Sequence, residues 1–241
     1  MRRAVAFLTL FGRAGAPNQS TMAWFPAVGA LLGLALGAIW WIIAKAWPPL
    51  PSAAIIVVAD MVLTGLLHFD GLADAGDGLI APMSKERRLA AMADPSIGAF
   101  GAICVAAVLL LRFSSFAALT PAPLVLGGLW CASRTSMVVI TDSLPYARPT
   151  GIVKDFLGVE TRSRRQRITM IASMSAGFVL SIALVVIGKG TRGLAALSAE
   201  LVAMAAVAML SWRRVGGFTG DVLGAAAVVG ETVGLLVLAS R

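Results

Sequence analysis

The sequence predicts an all-α fold, a polytopic membrane helix bundle of about seven transmembrane helices with a cytoplasmic N-terminus. Three observations carry that prediction. Of the 241 residues, 59% are hydrophobic and 13% charged, against roughly 45–50% and 25% in soluble domains. Apolar stretches long enough to cross about 30 Å of hydrocarbon, which takes about 20 residues at 1.5 Å each, recur along the chain. Tight turns between these stretches alternate with longer polar connections that hold most of the basic residues. A mean hydropathy of +0.88 agrees, since a soluble sphere of this size needs a polar skin that this composition does not supply. A secreted disulfide scaffold, a disordered chain and an ordinary cytosolic enzyme are excluded on these grounds.

Taken in order, Arg2 and Arg3 lead into a short apolar run and then Gly12, Arg13 and Pro17. No small-residue cleavage site follows, so the start is expected to be retained. The spans are placed at 22–47, 51–69, 98–119, 121–142, 167–188, 193–211 and 221–239. Pro48, Pro49 and Pro51, then Thr120, Pro121 and Pro123, then Gly188 to Gly193 make the tight turns. The longer connections are 70–97, 143–166 and 212–220. Nothing repeats with a fixed period or marks a second unit, so 1–241 reads as a single integral-membrane domain.

Fourteen of the twenty Lys and Arg lie in the N-terminal arm and around the three longer connections, whereas Lys45, Lys189, Arg192 and Arg241 fall on the other side. The positive-inside rule puts the N-terminus and the long connections in the cytoplasm, at the cell (inner) membrane. The net charge of +8 is thereby explained without nucleic acid, for which no basic, aromatic-interleaved face exists. Cys104 and Cys131 stand alone inside apolar runs and read as inert buried thiols.

The sharpest chemical signal is His68-Phe69-Asp70-Gly71-Leu72-Ala73-Asp74-Ala75-Gly76-Asp77-Gly78, where the second span meets the cytoplasm. At about 100° per residue, Asp74 and Asp77 lie roughly 40° ahead of and 20° behind Asp70, on one helix face. Three close anions repel unless a cation sits among them, and carboxylate oxygens are what Mg2+ takes along with water and phosphate oxygens. No Lys or Arg intervenes between Asp70 and Asp77, which argues against a merely solvated acidic loop. Asp94, ahead of the Gly98 and Gly101 entry to the third span, returns to the same side as a further ligand or a helix cap.

Between these motifs, Ser84-Lys85-Glu86-Arg87-Arg88-Leu89 reads as an amphipathic surface helix anchored on anionic membrane lipid, with contact to a substrate phosphate as its other role. Arg213-Arg214-Val215-Gly216-Gly217-Phe218-Thr219-Gly220-Asp221 opens the last span. Arginines, a glycine-rich turn and a helix N-terminus together favour an anion, and Asp221 reads as a metal bridge or an N-cap.

Ionisable residues within spans are expensive and are functional suspects. Arg134 is placed to reach a phosphate in a cleft, while Arg112, nearer the far surface, is expected to snorkel. Asp60 is assigned structural pairing, Glu231 either orients a ligand or satisfies a neighbouring helix, and Glu200 is structural. His68, the only histidine, points about 160° from Asp70 on a regular helix. It is expected to hydrogen-bond between helices, and a catalytic role would need a break at Phe69 or Gly71. The connection with Tyr146, Arg148, Pro149, Thr150, Gly151 and Lys154 adds cations near the acidic face, Arg148 among them for a phosphate. The Gly29, Gly33 and Gly37 stripe predicts close helix packing, within one chain or between the chains of a homo-oligomer.

With these residues in view, the chain resembles the cobalamin synthase family, the adenosylcobinamide-GDP ribazoletransferases. The resemblance rests on Asp70 to Gly78, on Asp94 with Gly98 and Gly101, and on Arg134 with Pro145, Arg148 and Gly151. It also rests on Gly217 to Ala225 with Glu231, and on Trp24, Pro26 and Gly29 opening the first span. The stretch from Leu10 to Pro17 departs from the family's Arg-Ile-Pro-Val-Pro-like pattern. The resemblance implies that the ribose hydroxyl of alpha-ribazole, or of its 5'-phosphate, attacks the phosphorus attached to cobinamide in adenosylcobinamide-GDP. GMP then leaves, in the last nucleotide-loop step of cobalamin biosynthesis. Charge neutralisation and positioning suffice for such chemistry. On this reading Asp70, Asp74 and Asp77 are the principal Mg2+ ligands, with Asp94 and Asp221 as further ones, and one of the carboxylates takes the ribose proton. Arg134, Arg148 and the turn bearing Gly217, Thr219 and Gly220 hold the diphosphate.

CDP-alcohol phosphotransferases do parallel chemistry but carry an Asp-Gly-x-x-Ala-Arg element, and here Ala73 is followed by Asp74. Two other classes compete. Intramembrane prenyltransferases show two separated Asp-x-x-x-Asp elements, and only Asp70 to Asp74 has that spacing. A cation transporter would place its densest carboxylates at the midplane and not at one face.

Overall fold

The computed structural model describes residues 1–11, 19–148 and 163–240. Ten helices are present among them: α1 (Arg2–Leu8), α2 (Gln19–Met22), α3 (Phe25–Ala46), α4 (Pro49–Leu63), α5 (Leu67–Leu79), α6 (Lys85–Ala91), α7 (Ala99–Ala118), α8 (Pro123–Ser143), α9 (Arg164–Val215) and α10 (Gly220–Ala239). The described residues form no strand, only one isolated parallel bridge between Tyr146 and Phe218. Pro149, Thr150, Gly151 and Lys154, named above, lie outside the described residues, as do Gly12, Arg13 and Pro17.

Five helical stretches are long and apolar enough to cross a membrane alone: Ser20–Ala46, Ala99–Ala118, Pro123–Ser143, Arg164–Val215 and Gly220–Ala239. The bent pair α4 and α5 makes a sixth if it counts as one broken span. α9 runs for 52 residues, about 78 Å at helical rise, far more than a bilayer is thick. It breaks at Lys189 and Gly190, and Gly193 then lies against the Val185 carbonyl. Its two arms therefore fold back on each other at the turn expected from Gly188 to Gly193.

The second span departs from expectation. In place of one helix over 51–69, the chain stops at Gly65 and Leu66, both left-handed with φ of 60° and 61°, and α5 leaves at 89° to α4. Leu66 N–H donates to Met61 O at 2.8 Å and Gly65 N–H to Val62 O at 3.0 Å, closing α4 as a left-handed C-terminal motif does. Leu10 fixes the corner from outside, packing on Gly65 and donating its N–H to Leu63 O at 3.1 Å. The acidic segment is thus a helix of its own, beyond the corner that ends α4.

Lipid gives apolar side chains no reason to hide, so close packing and internal polar contacts hold such a bundle together. Ile42, Leu110, Val179, Ile187 and Val202 accordingly face outward. Inside, Gly29, Gly33 and Gly37 of α3 lie directly on Trp130, Leu126 and Pro123 of α8, where any Cβ would strike backbone. The glycine stripe is used within the chain. Two apolar cores result, one around Leu36, Trp40, Phe116 and Trp130, the other around Phe69, Leu72, Met137, Phe218 and Val222.

Candidate active site at one end of the bundle

Where the two cores meet, four helices are stitched by buried charges. Arg112 of α7 pairs with Asp60 of α4 and with Glu231 of α10, and Arg134 of α8 pairs with the same Glu231. Arg112 Nε donates to Thr232 Oγ1 at 2.8 Å, Ser133 Oγ to Glu231 Oε1 at 2.8 Å, and Trp130 Nε1 to Asp60 Oδ1 at 3.3 Å. Two cations balance two anions, which is how charge is tolerated at depth. Arg112 is wholly buried, with its guanidinium 5.5 Å from the Phe69 ring and 5.4 Å from that of Trp130. It does not snorkel to the surface as expected, because its partners reach it from α4 and α10. Asp60 makes the structural pair assigned to it, and Glu231 satisfies neighbouring helices. Arg134, predicted to reach a phosphate, turns its guanidinium to Glu231 and Ser133. Glu200 is buried with both carboxyl oxygens unpartnered.

Above this network a cleft of about 320 Å³ opens between α1, α3, α5, α8 and α10. α5 and α10 approach closely because Gly71 lies on the Asp221 backbone and Gly224 on that of His68. Asp70, Asp221, Arg148, His68 and Gly220 line the cleft, with Phe7, Phe25 and Met137 on its apolar side. Phe7 stacks on Phe25 with ring centroids 5.9 Å apart.

The loop after α8 is latched to the loop before α10. Phe218 N–H donates to Pro145 O and Ala147 N–H to Phe218 O, both at 2.9 Å, and the Tyr146 and Phe218 rings meet edge to face. The latch brings Arg148 NH2 to 2.7 Å from Asp221 Oδ2. Thr219 caps α10, accepting Val222 N–H and donating to Asp221 Oδ2 at 3.2 Å. Within the glycine-rich turn the Gly216 and Phe218 amides are committed to Trp212 and Pro145, and Gly217 packs on Pro145. Of the predicted anion-binding turn, Gly220 is the member that lines the cleft.

The carboxylates that the sequence put on one face are divided between two neighbours. Asp70 is exposed and lines the cleft, and Asp74 is half-buried one turn on. Burial, then the charges of Asp221 and Asp70, push Asp74 up to about 6, against a smaller opposing pull from Arg148. Asp77 faces α7, where it accepts the Gly98 N–H at 2.7 Å and the Gly101 N–H at 2.9 Å. Asp94 is exposed and accepts the Ser96 N–H at 2.9 Å. That contact, with the Ser96 hydroxyl, holds Asp94 below the usual carboxylate range.

Among the described residues, no three His, Cys, Asp or Glu side chains are grouped so as to hold a metal ion. Mg2+ does not require three, since it is usually bound by one or two carboxylates and completes its octahedron with water and phosphate oxygens. Asp70 and Asp74, four apart on one helix, with Asp74 raised by burial and by the charges of Asp221 and Asp70, fit such a site.

Residues 1–239 match the cobalamin-5-phosphate synthase family. The chain belongs to that family. It is 35% identical over 237 residues to the adenosylcobinamide-GDP ribazoletransferase of Chlorobium phaeovibrioides, covering 95% of this chain and 92% of the relative. The protein of that name from Chlorobium chlorochromatii is 32% identical, over 95% of this chain and 90% of its own. That of Chlorobium phaeobacteroides is 31% identical, over 96% and 92%. No solved structure matches the chain. The family's members here share a length as well as a sequence pattern, so the cleft, the latch and the buried network all fall within the matched region.

Proposed function

We propose that this membrane protein is an adenosylcobinamide-GDP ribazoletransferase, joining alpha-ribazole or its 5'-phosphate to adenosylcobinamide-GDP with release of GMP. The observation that carries the reading is the family match over residues 1–239, which includes every residue of the cleft. The ribose oxygen forms a bond to the phosphorus attached to cobinamide, the bond from that phosphorus to GMP breaks, and the hydroxyl proton passes to a carboxylate. Asp221 suits that last role, because Arg148 and Thr219 fix it through Oδ2 and leave Oδ1 to accept the proton. Arg148 is the cation placed to face the phosphoryl oxygens. Asp70 and Asp74 would hold Mg2+, which when bound neutralises charge on the transferring group.

Asp77 and Asp94 stand outside this metal pair, since backbone N–H groups engage both. Arg134 and Glu231 act as framework beneath the cleft. The site faces the cytoplasm across the inner membrane, supported by the concentration of Lys and Arg in the connections at that end. The opposite end carries the tight turns, where Lys189 reaches Thr120. α6 rests on anionic lipid, its Arg88 turned inward to donate to the Gly78 and Leu79 carbonyls.

The test is mass spectrometry of the products formed when detergent-purified protein meets adenosylcobinamide-GDP, alpha-ribazole and Mg2+, beside an Asp74→Asn control. Adenosylcobalamin and GMP, lost in the variant or with chelator, are expected. Both substrates intact beside folded protein would refute the assignment.

A further inference from the structure

The cleft has two unlike ends. Its acidic end holds Asp70 and Asp221, with Arg148 already committed to Asp221. Its other wall is apolar, made by Phe7, Met22, Phe25, Leu67, Met137 and Leu223. The phosphoryl chemistry belongs to the acidic end, where Arg148 keeps its Nε unpartnered beside the carboxylates. A flat, uncharged aromatic base with a hydroxylated sugar meets complementary surfaces at both ends, since aromatic rings pack on Phe and Met and carboxylates accept from hydroxyls. Size points the same way. About 320 Å³ lies at the small end of ligand pockets, roughly 300–1,000 Å³, enough for one nucleoside and far too little for a corrin ring carrying GDP.

Two buried polar atoms on this cleft have no partner among the described residues, His68 Nε2 and Arg148 Nε. His68 is 4% exposed, it lines the cleft, and its Nε2 makes no hydrogen bond. A buried, unsatisfied ring nitrogen costs about 1–3 kcal/mol, a cost that a bound polar atom removes. The break at Gly65 and Leu66 restarts the helix immediately before His68, and Gly224 leaves its backbone room against α10. The imidazole is thus positioned by two features that the interhelical hydrogen bond expected of it would not need.

We infer that this cleft is the acceptor-nucleoside subsite, in which the base of alpha-ribazole lies against Phe25 and Met137, its ribose points to Asp70 and Asp221, and His68 Nε2 hydrogen-bonds to it. The inference rests on the transferase reading for the identity of the nucleoside. The corrinoid nucleotide then approaches from outside, at the acidic mouth.

Binding of alpha-ribazole alone and of adenosylcobinamide-GDP alone to the full-length protein, by titration calorimetry, tests it separately from turnover. His68→Ala should weaken alpha-ribazole about ten-fold, the loss of one buried hydrogen bond, and leave adenosylcobinamide-GDP within two-fold. His68→Gln, which returns an amide near the Nε2 position, should recover part of the loss. Leu223→Trp, which fills the cleft and spares His68, should also weaken alpha-ribazole, so the inference stays testable if His68→Ala does not fold. Unchanged alpha-ribazole binding in His68→Ala and Leu223→Trp, a loss confined to adenosylcobinamide-GDP, or no alpha-ribazole binding by wild type overturns the inference. Absence of turnover with alpha-ribazole still bound in a His68-dependent way would instead remove the transferase reading and leave the nucleoside subsite standing.

Discussion

Asp77 accepts the backbone N–H of Gly98 at 2.7 Å, and so caps α7 from α5 across 21 residues of chain. Gly98 and Gly101 leave the room that the carboxylate occupies, and a negative charge at a helix N-terminus is favourable. An acidic residue inside a run that looks made for metal thereby caps a neighbouring helix.

Replacing Asp77 by Ala should therefore cost about 1–2 kcal/mol of stability, the range for a lost N-cap, and Asp77→Asn less, because the amide retains one acceptor oxygen. Mg2+ affinity should stay within two-fold in both. Thermal unfolding in detergent, alongside Mg2+ titration, checks this, and a collapse of Mg2+ binding in Asp77→Asn would return the residue to the metal site.

Asp70→Asn and Asp74→Asn should each lower turnover by about three orders of magnitude while the protein remains folded, as expected when charge stabilisation at a phosphoryl centre is removed. Single-turnover formation of GMP is the readout. Activity near wild type in either variant would exclude that residue from the reacting assembly.

Asp74 sets a pH dependence whose sign follows from its environment. In the folded protein it keeps its proton to about pH 6, whereas its ordinary value is 3.8. Its contribution to the stability of metal-free protein is thus complete below 3.8 and is lost as pH rises through about 6. Mg2+ needs the ionised form, so its affinity should climb across the same interval, with proton release on binding. Thermal midpoints and Mg2+ titrations from pH 5 to 7.5, taken as wild type minus Asp74→Asn, should show both slopes. Arg148→Met should move the inflection upward, since Arg148 pulls Asp74 down.

Glu231 bridges Arg112 and Arg134. Its replacement by Gln should destabilise the bundle by about 3–5 kcal/mol, the cost of leaving buried charge uncompensated. Thr232→Val, which removes one hydrogen bond to Arg112, should cost about 1 kcal/mol. Denaturation by increasing sodium dodecyl sulfate ranks the two variants, and an equal effect would mean that the arginines find other partners.

The membrane character of the chain was legible because it is written in local composition. The fold-back of α9 was legible for a related reason, since Gly188 to Gly193 interrupts an apolar run too long for one crossing. The corner at Gly65 and Leu66 was hidden: Leu66 adopts a left-handed conformation that costs a non-glycine residue about 1–2 kcal/mol, and contacts from Leu10, far away in sequence, hold it. Helical periodicity correctly grouped Asp70 with Asp74. It could not reveal that Asp77 would be captured by α7, nor that Arg112 would meet Asp60 and Glu231 from 52 and 119 residues away. The latch between Pro145 and Phe218 was invisible for the same reason, although it places Arg148 on Asp221.

The pairing of Arg134 with Glu231 spans 97 residues and so fixes an order of events during biosynthesis. Arg134 is delivered to the bilayer with its helix while the segment bearing its counter-ion has still to be translated. A lone arginine at the centre of a membrane helix costs about 2.5–3.5 kcal/mol on insertion, and the nascent protein carries that burden until α10 arrives. Asp221 and Gly224 arrive on the same helix, so a chain released before it is made has neither its electrical balance nor the far wall of its cleft.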